Sequence, residues 1–479
     1  MASINNIVQK LWGLCDILRD DGITYYQYVN ELTYLLFLKI AQEKETEKEL
    51  PRGYRWSDLV SKKSAQERFD FYLELLVVLG TRGSTRVRAI FAHPTSLIPH
   101  PMSLDLLVKK MDTLDWYNAR REGFGDLYED LLQKHANEAK GGAGQYFTPR
   151  PLIECMVNVT RPETGEIIQD PAAGTCGFLV AVDAYIKNKI GKQSNQRRST
   201  SPKTIFHAVE LNQDTYRLAL MNTMLHNIKG EIKHGDTLSP MGADLDKADV
   251  ILTNPPFGSK KGSGRASRED LPFPTFNKQF AFLQHIYLGL KPGGRAAVVL
   301  PDNVLFEENT GKDIRADLMD KCNLHTILRL PTGIFYAQGV KTNVLFFTRC
   351  ETDKDNTKKV WIYDMRANMP RFGKRSPLKH EYFEEFEKCY GNDPNGRAKR
   401  RESDSNQDRW RKFTIKEIRE HDFNLEGFKW LKDEDVEDSD QLPEPAELVT
   451  DAIAELDAAL GELNAVSLAL ENGNNAMGT

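Results

Sequence analysis

Ala248-Asp249-Val250-Ile251-Leu252-Thr253-Asn254-Pro255-Pro256-Phe257 is an apolar run that turns polar and then rigid within four residues. The run A-D-V-I-L reads as a buried strand of a parallel sheet. Ligands of open α/β sheets gather at the carboxyl ends of such strands, so Asn254 to Phe257 stand where a site is expected. The Asn254 side-chain oxygen and a backbone carbonyl of the Pro255-Pro256 segment can each accept one N–H of an exocyclic –NH2 group. The prolines fix φ and carry no donor, which keeps those carbonyls aimed outward. Phe257 adds a flat face on which a planar base can stack. Taken alone, N-P-P-F fits a proline-stiffened turn closing a strand equally well.

Working outward, Glu166 to Gln169, Thr204 to Val209 and Glu231 to Lys233 read as strands upstream. Pro151 to Val159, with proline in its first turn, Leu179 to Ile190 and Asp214 to Asn227 read as helices. Downstream, Gln279 to Leu290 is a helix stopped by Lys291-Pro292-Gly293-Gly294. Arg295 to Leu300 is a strand, Gly311 to Lys321 a helix and Leu324 to Leu330 a strand, with Asn343 to Arg349 as the last. This alternation predicts a doubly wound, parallel α/β sheet from about 145 to 350. A terminal antiparallel strand fits such a sheet, but spacing alone does not show it.

The first strand runs into Asp170-Pro171-Ala172-Ala173-Gly174-Thr175-Cys176-Gly177-Phe178. Gly174 and Gly177 let the backbone approach a ligand, and the following helix points its N–H donors inward. The turn departs from G-x-G-x-x-G, which argues against a dinucleotide pyrophosphate. An acidic residue in it suits a ligand bearing an α-amino group, such as S-adenosyl-L-methionine. Glu210 ends the second strand, where an acid takes a pair of ribose hydroxyls. Asp236 ends the third, where it can meet the cofactor's adenine amino group. Each acid alone is more often a cap or a solvated carboxylate. Three at successive strand ends, on the side of Asn254, argue for one pocket.

Residues 1–138 read as an all-α domain, from Ile7, Leu11, Leu14 and Leu18 at helical spacing and from similar patterns at Tyr34 to Ile40, Leu73 to Leu79, Leu104 to Met111 and Phe124 to Leu132. It packs on a neighbour or on nucleic acid, or merely stabilises the next domain. Lys140 to Gly144 (K-G-G-A-G) is a glycine-rich joint. Gly391 to Lys412, with the basic run Arg397-Ala398-Lys399-Arg400-Arg401, reads as a mobile or solvated loop. Glu447 to Leu470 carries Val449, Ile453, Leu456, Leu460 and Leu463, a stripe suited to a seam against another helix or to packing back on its own domain. The expected partition is thus a helical domain at 1–138, a catalytic domain at 139–390, a charged polar linker at 391–446 and a docking helix at 447–479.

The 479 residues carry a net charge of −5, so any basic surface for DNA phosphates must be local or come from a partner. The six cysteines never form C-x-x-C, which suggests neither a zinc cluster nor a disulfide framework, and no metal is expected. No apolar stretch approaches the roughly 18 residues of a membrane helix. A soluble, cytoplasmic protein is expected.

Gln145-Tyr146-Phe147-Thr148-Pro149-Arg150, Asp170 to Phe178, Glu210 and Asn254 to Phe257 together resemble the modification (methyltransferase) subunit of type I restriction–modification systems. These are adenine-N6 DNA methyltransferases with cofactor motifs ahead of N-P-P-F. The likeness extends through Pro301-Asp302-Asn303-Val304-Leu305-Phe306, Leu330 to Phe335 and Val340-Lys341-Thr342-Asn343 to Trp410-Arg411-Lys412. It implies a Rossmann-like, class I S-adenosyl-L-methionine-dependent fold with an N-terminal all-α domain and a C-terminal helical extension. It places Gln145, Tyr146, Phe147, Thr148, Pro149 and Arg150 against the cofactor with Thr175, Cys176 and Gly177. Cys176 sits where a small residue is expected and has no His beside it in sequence, so it reads as tolerated bulk and not as a nucleophile. The implied partners are double-stranded DNA, a specificity subunit that binds two copies of this chain, and a restriction subunit. The loop Lys260 to Arg265 would order over DNA or simply stay solvated. N-P-P-[FY] also serves enzymes that methylate a protein glutamine amide, and a non-catalytic scaffold is the third reading. The long C-terminal extension and the full motif set favour DNA.

Overall fold

Val250 and Leu252 belong to one buried core and Ile251 to a second, so a strand flanked on both faces must be apolar at every position. The computed structural model describes residues 2–22, 25–45, 47–114, 116, 128, 148–191, 203–258, 268–335, 341–370, 372, 376–401 and 408–431. Among them runs one nine-stranded sheet of order β3-β2-β1-β4-β5-β7-β6-β8-β9. Its strands are β1 Ile167–Asp170, β2 Ile205–Glu210, β3 Gly230–His234, β4 Ala248–Thr253, β5 Leu290–Pro301, β6 Cys322–Arg329, β7 Thr342–Arg349, β8 Lys359–Asp364 and β9 Trp410–Thr414.

Strands β1 to β5 pair in parallel. Strand β7 runs antiparallel between β5 and β6, as the sequence allowed without showing. Strand β1 lies between β2 and β4, with Gln169 opposite Ile251. The order of the strands reverses there, and the crevice at their carboxyl ends is where such sheets bind ligands. Asp249, the one polar residue in the A-D-V-I-L run, accepts the Ile167 N–H at 2.8 Å and pairs with Lys291 at 2.7 Å. It thereby ties the amino ends of β1, β4 and β5.

The described residues up to Asp112 form the helices α1 Ala2–Gly13, α2 Cys15–Asp20, α3 Tyr25–Glu43, α4 Trp56–Val60, α5 Ala65–Arg82, α6 Thr85–Ile90 and α7 Pro101–Asp112. The start of α5 is set by a capping box, in which Ser64 Oγ accepts the Glu67 N–H and Glu67 accepts the Ser64 N–H. The buried side chains of these helices share one core with α8 Arg150–Thr160, α9 Gly177–Gly191, α10 Gln213–Leu225 and one face of the sheet. Arg217 of α10 donates to Ile90 O at 2.8 Å and to Ala92 O at 3.1 Å, tying the helical layer to that face. Residues Met1–Leu431 form one compact unit. On the other face lie α11 Lys278–Gly289 and α13 Thr310–Lys321, with the short α12 Asn303–Phe306 at the end of β5.

The sheet goes further than the sequence predicts. Strand β7 is not the last, because β8 pairs in parallel with β6 and β9 antiparallel with β8. The stretch expected as a polar linker from 391 therefore contains an edge strand. In W-R-K-F-T only Trp410 is fully buried, and the half-buried Arg411 and exposed Lys412 beside it mask the strand. Trp410 stacks on Trp361 with centroids 5.0 Å apart. The Arg400 guanidinium lies 4.7 Å from the Tyr390 ring centroid, at the end of α14 Glu384–Tyr390, and donates to Thr326 Oγ1 at 2.8 Å. That part of the basic run is held in the protein, not solvated. Past β9, α15 Ile415–Glu420 returns Ile418 to the second core. Most of Phe124 to Leu132, the Lys260 to Arg265 loop, Gln145 to Phe147 and the helix at Glu447 to Leu470 lie outside the described residues.

Candidate active site

Strand β4 delivers Asn254 to the crevice with its side chain buried, 9% exposed. Its Nδ2 donates to Thr148 Oγ1 at 3.0 Å, while its Oδ1 is buried and has no hydrogen-bond partner among the described residues. A buried carbonyl oxygen without a donor costs roughly 1–3 kcal/mol, which an incoming N–H would recover. Pro255 is buried and Pro256 half-buried, and neither brings an N–H that could satisfy that oxygen. Phe257 is half-buried against the first core. Beyond it, Gly258 at φ +101 donates its N–H to Gln279 Oε1 at 3.0 Å. Gln279 Nε2 in turn donates to Asn303 Oδ1 at 3.2 Å.

Beside the amide, β1 and β2 present two carboxylates to one glycine turn. Glu210 accepts the Gly174 N–H at 2.9 Å through Oε2 and the Asn212 N–H at 2.8 Å through Oε1. Asn212 also caps α10, accepting from Asp214 N at 2.9 Å and Thr215 N at 3.0 Å. Burial raises the Glu210 carboxyl above its ordinary range, against the pull of its N–H donors. Asp170 is fully buried. Its Oδ1 accepts the Ala172 N–H at 3.1 Å and its Oδ2 has no partner among the described residues. Burial pushes its pKa up to about 7, opposed by the Thr253 hydroxyl and the Ala172 N–H and aided by the charge of Glu210. Gly174 holds φ +53, and a Cβ there would meet nothing within 4 Å. The turn is a cradle with open space above it.

The other sequence-assigned residues divide. Cys176 is fully buried, and burial with the charges of Asp170 and Glu210 drives its thiol well up, so it is no nucleophile at neutral pH. The Thr175 carbonyl accepts from Asn222 Nδ2 at 2.9 Å, and Gly177 opens α9 against Ile153. Asp236 lies two residues past β3, where its Oδ1 accepts the Leu238 N–H at 2.8 Å. The Pro149 carbonyl accepts the Leu152 and Ile153 N–H groups at the start of α8. Arg150 faces outward and pairs loosely with Glu154 at 3.7 Å.

This arrangement meets a clear likeness. The N-6 DNA methylase family matches residues 119–439, and the HsdM N-terminal domain matches residues 7–111. The type I restriction enzyme StySPI methylase subunit of Salmonella potsdam is 48% identical, over 98% of this chain and 96% of its own. The chain is a type I methylase subunit by family. Among solved structures, the type I restriction enzyme EcoKI M protein is 44% identical, with 97% of this chain and 96% of that one covered and a TM-score of 0.55. A chain from a study of complex assembly and conformational transition in a type I restriction–modification system is 26% identical, covering 97% and 98%, with a TM-score of 0.70.

Three parts of this methylase's site were not legible in its sequence. Thr253, just ahead of N-P-P-F, is fully buried, and its hydroxyl has no hydrogen-bond partner among the described residues. Gln279 is buried in the first turn of α11 and anchors the backbone after Phe257. At the carboxyl end of β5, Asp302 takes Arg366 on both oxygens and Asn343 Nδ2 at 2.7 Å. The quoted runs P-D-N-V-L-F and V-K-T-N already held two of those three residues, but nothing in them pointed to Arg366.

Proposed function

We propose that this chain transfers a methyl group from S-adenosyl-L-methionine to N6 of an adenine in double-stranded DNA, as the modification subunit of a type I restriction–modification complex. The observation that carries the reading is the buried, unpaired Asn254 Oδ1 beside the cradle of Asp170, Gly174 and Glu210. The residues fit the cofactor. Asp170 has a free oxygen for an α-amino group, each Glu210 oxygen keeps a lone pair for a ribose hydroxyl, and the open space at Gly174 leaves room beside them. Thr175, Cys176 and Gly177 shape the turn, and Asp236 lies at the adenine end of the pocket.

S-adenosyl-L-methionine supplies a methyl group already activated by its sulfonium. The chain's task is the nucleophile. The adenine N6 lone pair is delocalised into the ring and gains sp3 character only as it attacks. Asn254 Oδ1 and the Pro255 carbonyl accept the two N6–H bonds and favour that change, while Phe257 stacks on the base and fixes its approach. The N–CH3 bond forms as the S–CH3 bond breaks, and N6 then gives up a proton. Inside a duplex N6 is out of reach, so the base flips out at a cost of a few kcal/mol.

A separate specificity subunit reads the sequence, two copies of this chain join each such subunit, and a restriction subunit completes the complex in the cytoplasm. Within this reading the boundaries at 138 and 446 are kept as a proposal, and the one at 390 is given up because residues 408–431 belong with the catalytic sheet unit. The test is tritium transfer from labelled S-adenosyl-L-methionine to unmethylated duplex DNA, followed by nucleoside digestion. Label in N6-methyladenosine supports the reading. Label in protein glutamine, or none in either, overturns it.

A further inference from the structure

The N-P-P-F motif has a weakness that its own residues do not repair. A carboxamide is nearly symmetric, and its terminal torsion is broad, so rotating it by half a turn exchanges oxygen for nitrogen at little intrinsic cost. In the exchanged orientation Asn254 would present N–H donors to an amine that also presents donors. The neighbouring prolines offer no N–H to hold the oxygen in place. Whatever fixes the amide must accept from Nδ2, and it must come from another part of the chain.

We infer that Thr148 is the positioning residue of Asn254: its hydroxyl, which can accept as well as donate, takes one Nδ2–H and holds the amide in place with Oδ1 toward the target amine. The inference rests on the methyl-transfer reading above and deepens it. The two side chains, 106 residues apart in sequence, meet at 3.0 Å, with Thr148 7% and Asn254 9% exposed. Water therefore does not substitute for the contact. The mount is rigid. Pro149, the next residue, takes two N–H groups of the first turn of α8, and Leu152, Cys155 and Met156 of that helix are fully buried. Resemblance alone assigns Thr148 to the cofactor; the hydrogen bond assigns it to the amide. The segment thus couples the cofactor side of the crevice to the orientation of the group that receives the base.

The test uses the full chain co-purified with its specificity subunit, unmethylated duplex DNA and tritiated S-adenosyl-L-methionine. Single-turnover transfer at saturating cofactor and the cofactor dissociation constant by calorimetry are measured for wild type, T148V, T148A and T148S. T148V and T148A should each slow transfer at least about tenfold, the size that one misplaced hydrogen bond carries. The dissociation constant should stay within about threefold, and T148S should recover most of the rate. Two hydroxyl-free variants are used so that a folding defect in one leaves the other to decide. Transfer at wild-type rate by a folded hydroxyl-free variant overturns the inference while leaving the methyl-transfer reading intact. So does cofactor binding that weakens as much as transfer slows, or T148S as slow as T148V. Failure of the wild-type complex to methylate adenine removes the reading and the inference together.

Discussion

Asn254 and Asp170 each keep one buried oxygen unpaired among the described residues, and the two oxygens make different demands. For Asn254 the demand is an N–H donor present only with the target base. N254A should lower methyl transfer at least about a hundredfold, the loss typical of one electrostatic contact made in the transition state, with cofactor affinity nearly unchanged. Parallel tritium-transfer and calorimetric titrations check this, and equal loss in both would remove Asn254 from its role. For Asp170 the demand is a cation or a proton. Its pKa in the folded chain, about 7, lies above the ordinary 3.8. Its contribution to stability is therefore full below about pH 4 and lost as pH rises through 7. D170N escapes that loss. Its urea midpoint should gain on wild type between pH 4 and pH 7 and hold a constant lead above, whereas a pH-independent difference would contradict the assignment. Both residues were legible because a polar side chain after an apolar run marks a strand's carboxyl end. Thr148 was not, since a hydroxyl's partner depends on where the chain returns in space.

At the scale of elements, β1 to β5 and their helices were legible because the buried strands are mostly apolar and each helix keeps its period. Strands β8 and β9 were obscured by the cations and polar loops around them, and their place in the sheet depends on contacts far along the chain. One such contact is Arg329 at the end of β6. It is buried, pairs with Asp364 of β8 at 3.2 Å, and donates to the carbonyls of Leu425, Glu426 and Phe428. R329M should leave Asp364 and three carbonyls without their donor and destabilise the chain by about 3–5 kcal/mol, the range for breaking a buried pair. A urea titration measures it. A shift below about 1 kcal/mol would show that the strap beyond β9 is held by its apolar contacts, such as Phe413 on Phe428.

For the molecule as a whole, the helical layer at the amino end shares a core with one face of the sheet, so α1 to α7 do not form a detached module. Sequence spacing showed the helices but not their attachment, because Arg217 and the carbonyls of Ile90 and Ala92 carry no pattern that links them. We propose the apolar stripe at Val449 to Leu463 as the contact with the specificity subunit. Deleting residues from 447 onward should abolish co-purification with that subunit and leave S-adenosyl-L-methionine affinity within about twofold; retained co-purification would move the contact elsewhere. The two rims of the sheet add a constraint on assembly. Strand β3 carries Glu231 and Lys233, and β9 carries Arg411 and Lys412. Ionic side chains on outermost strands discourage one sheet from continuing into another. In the proposed assembly, two copies on one specificity subunit would therefore be joined through loops or helices, and increasing concentration alone should not zip them into a ribbon.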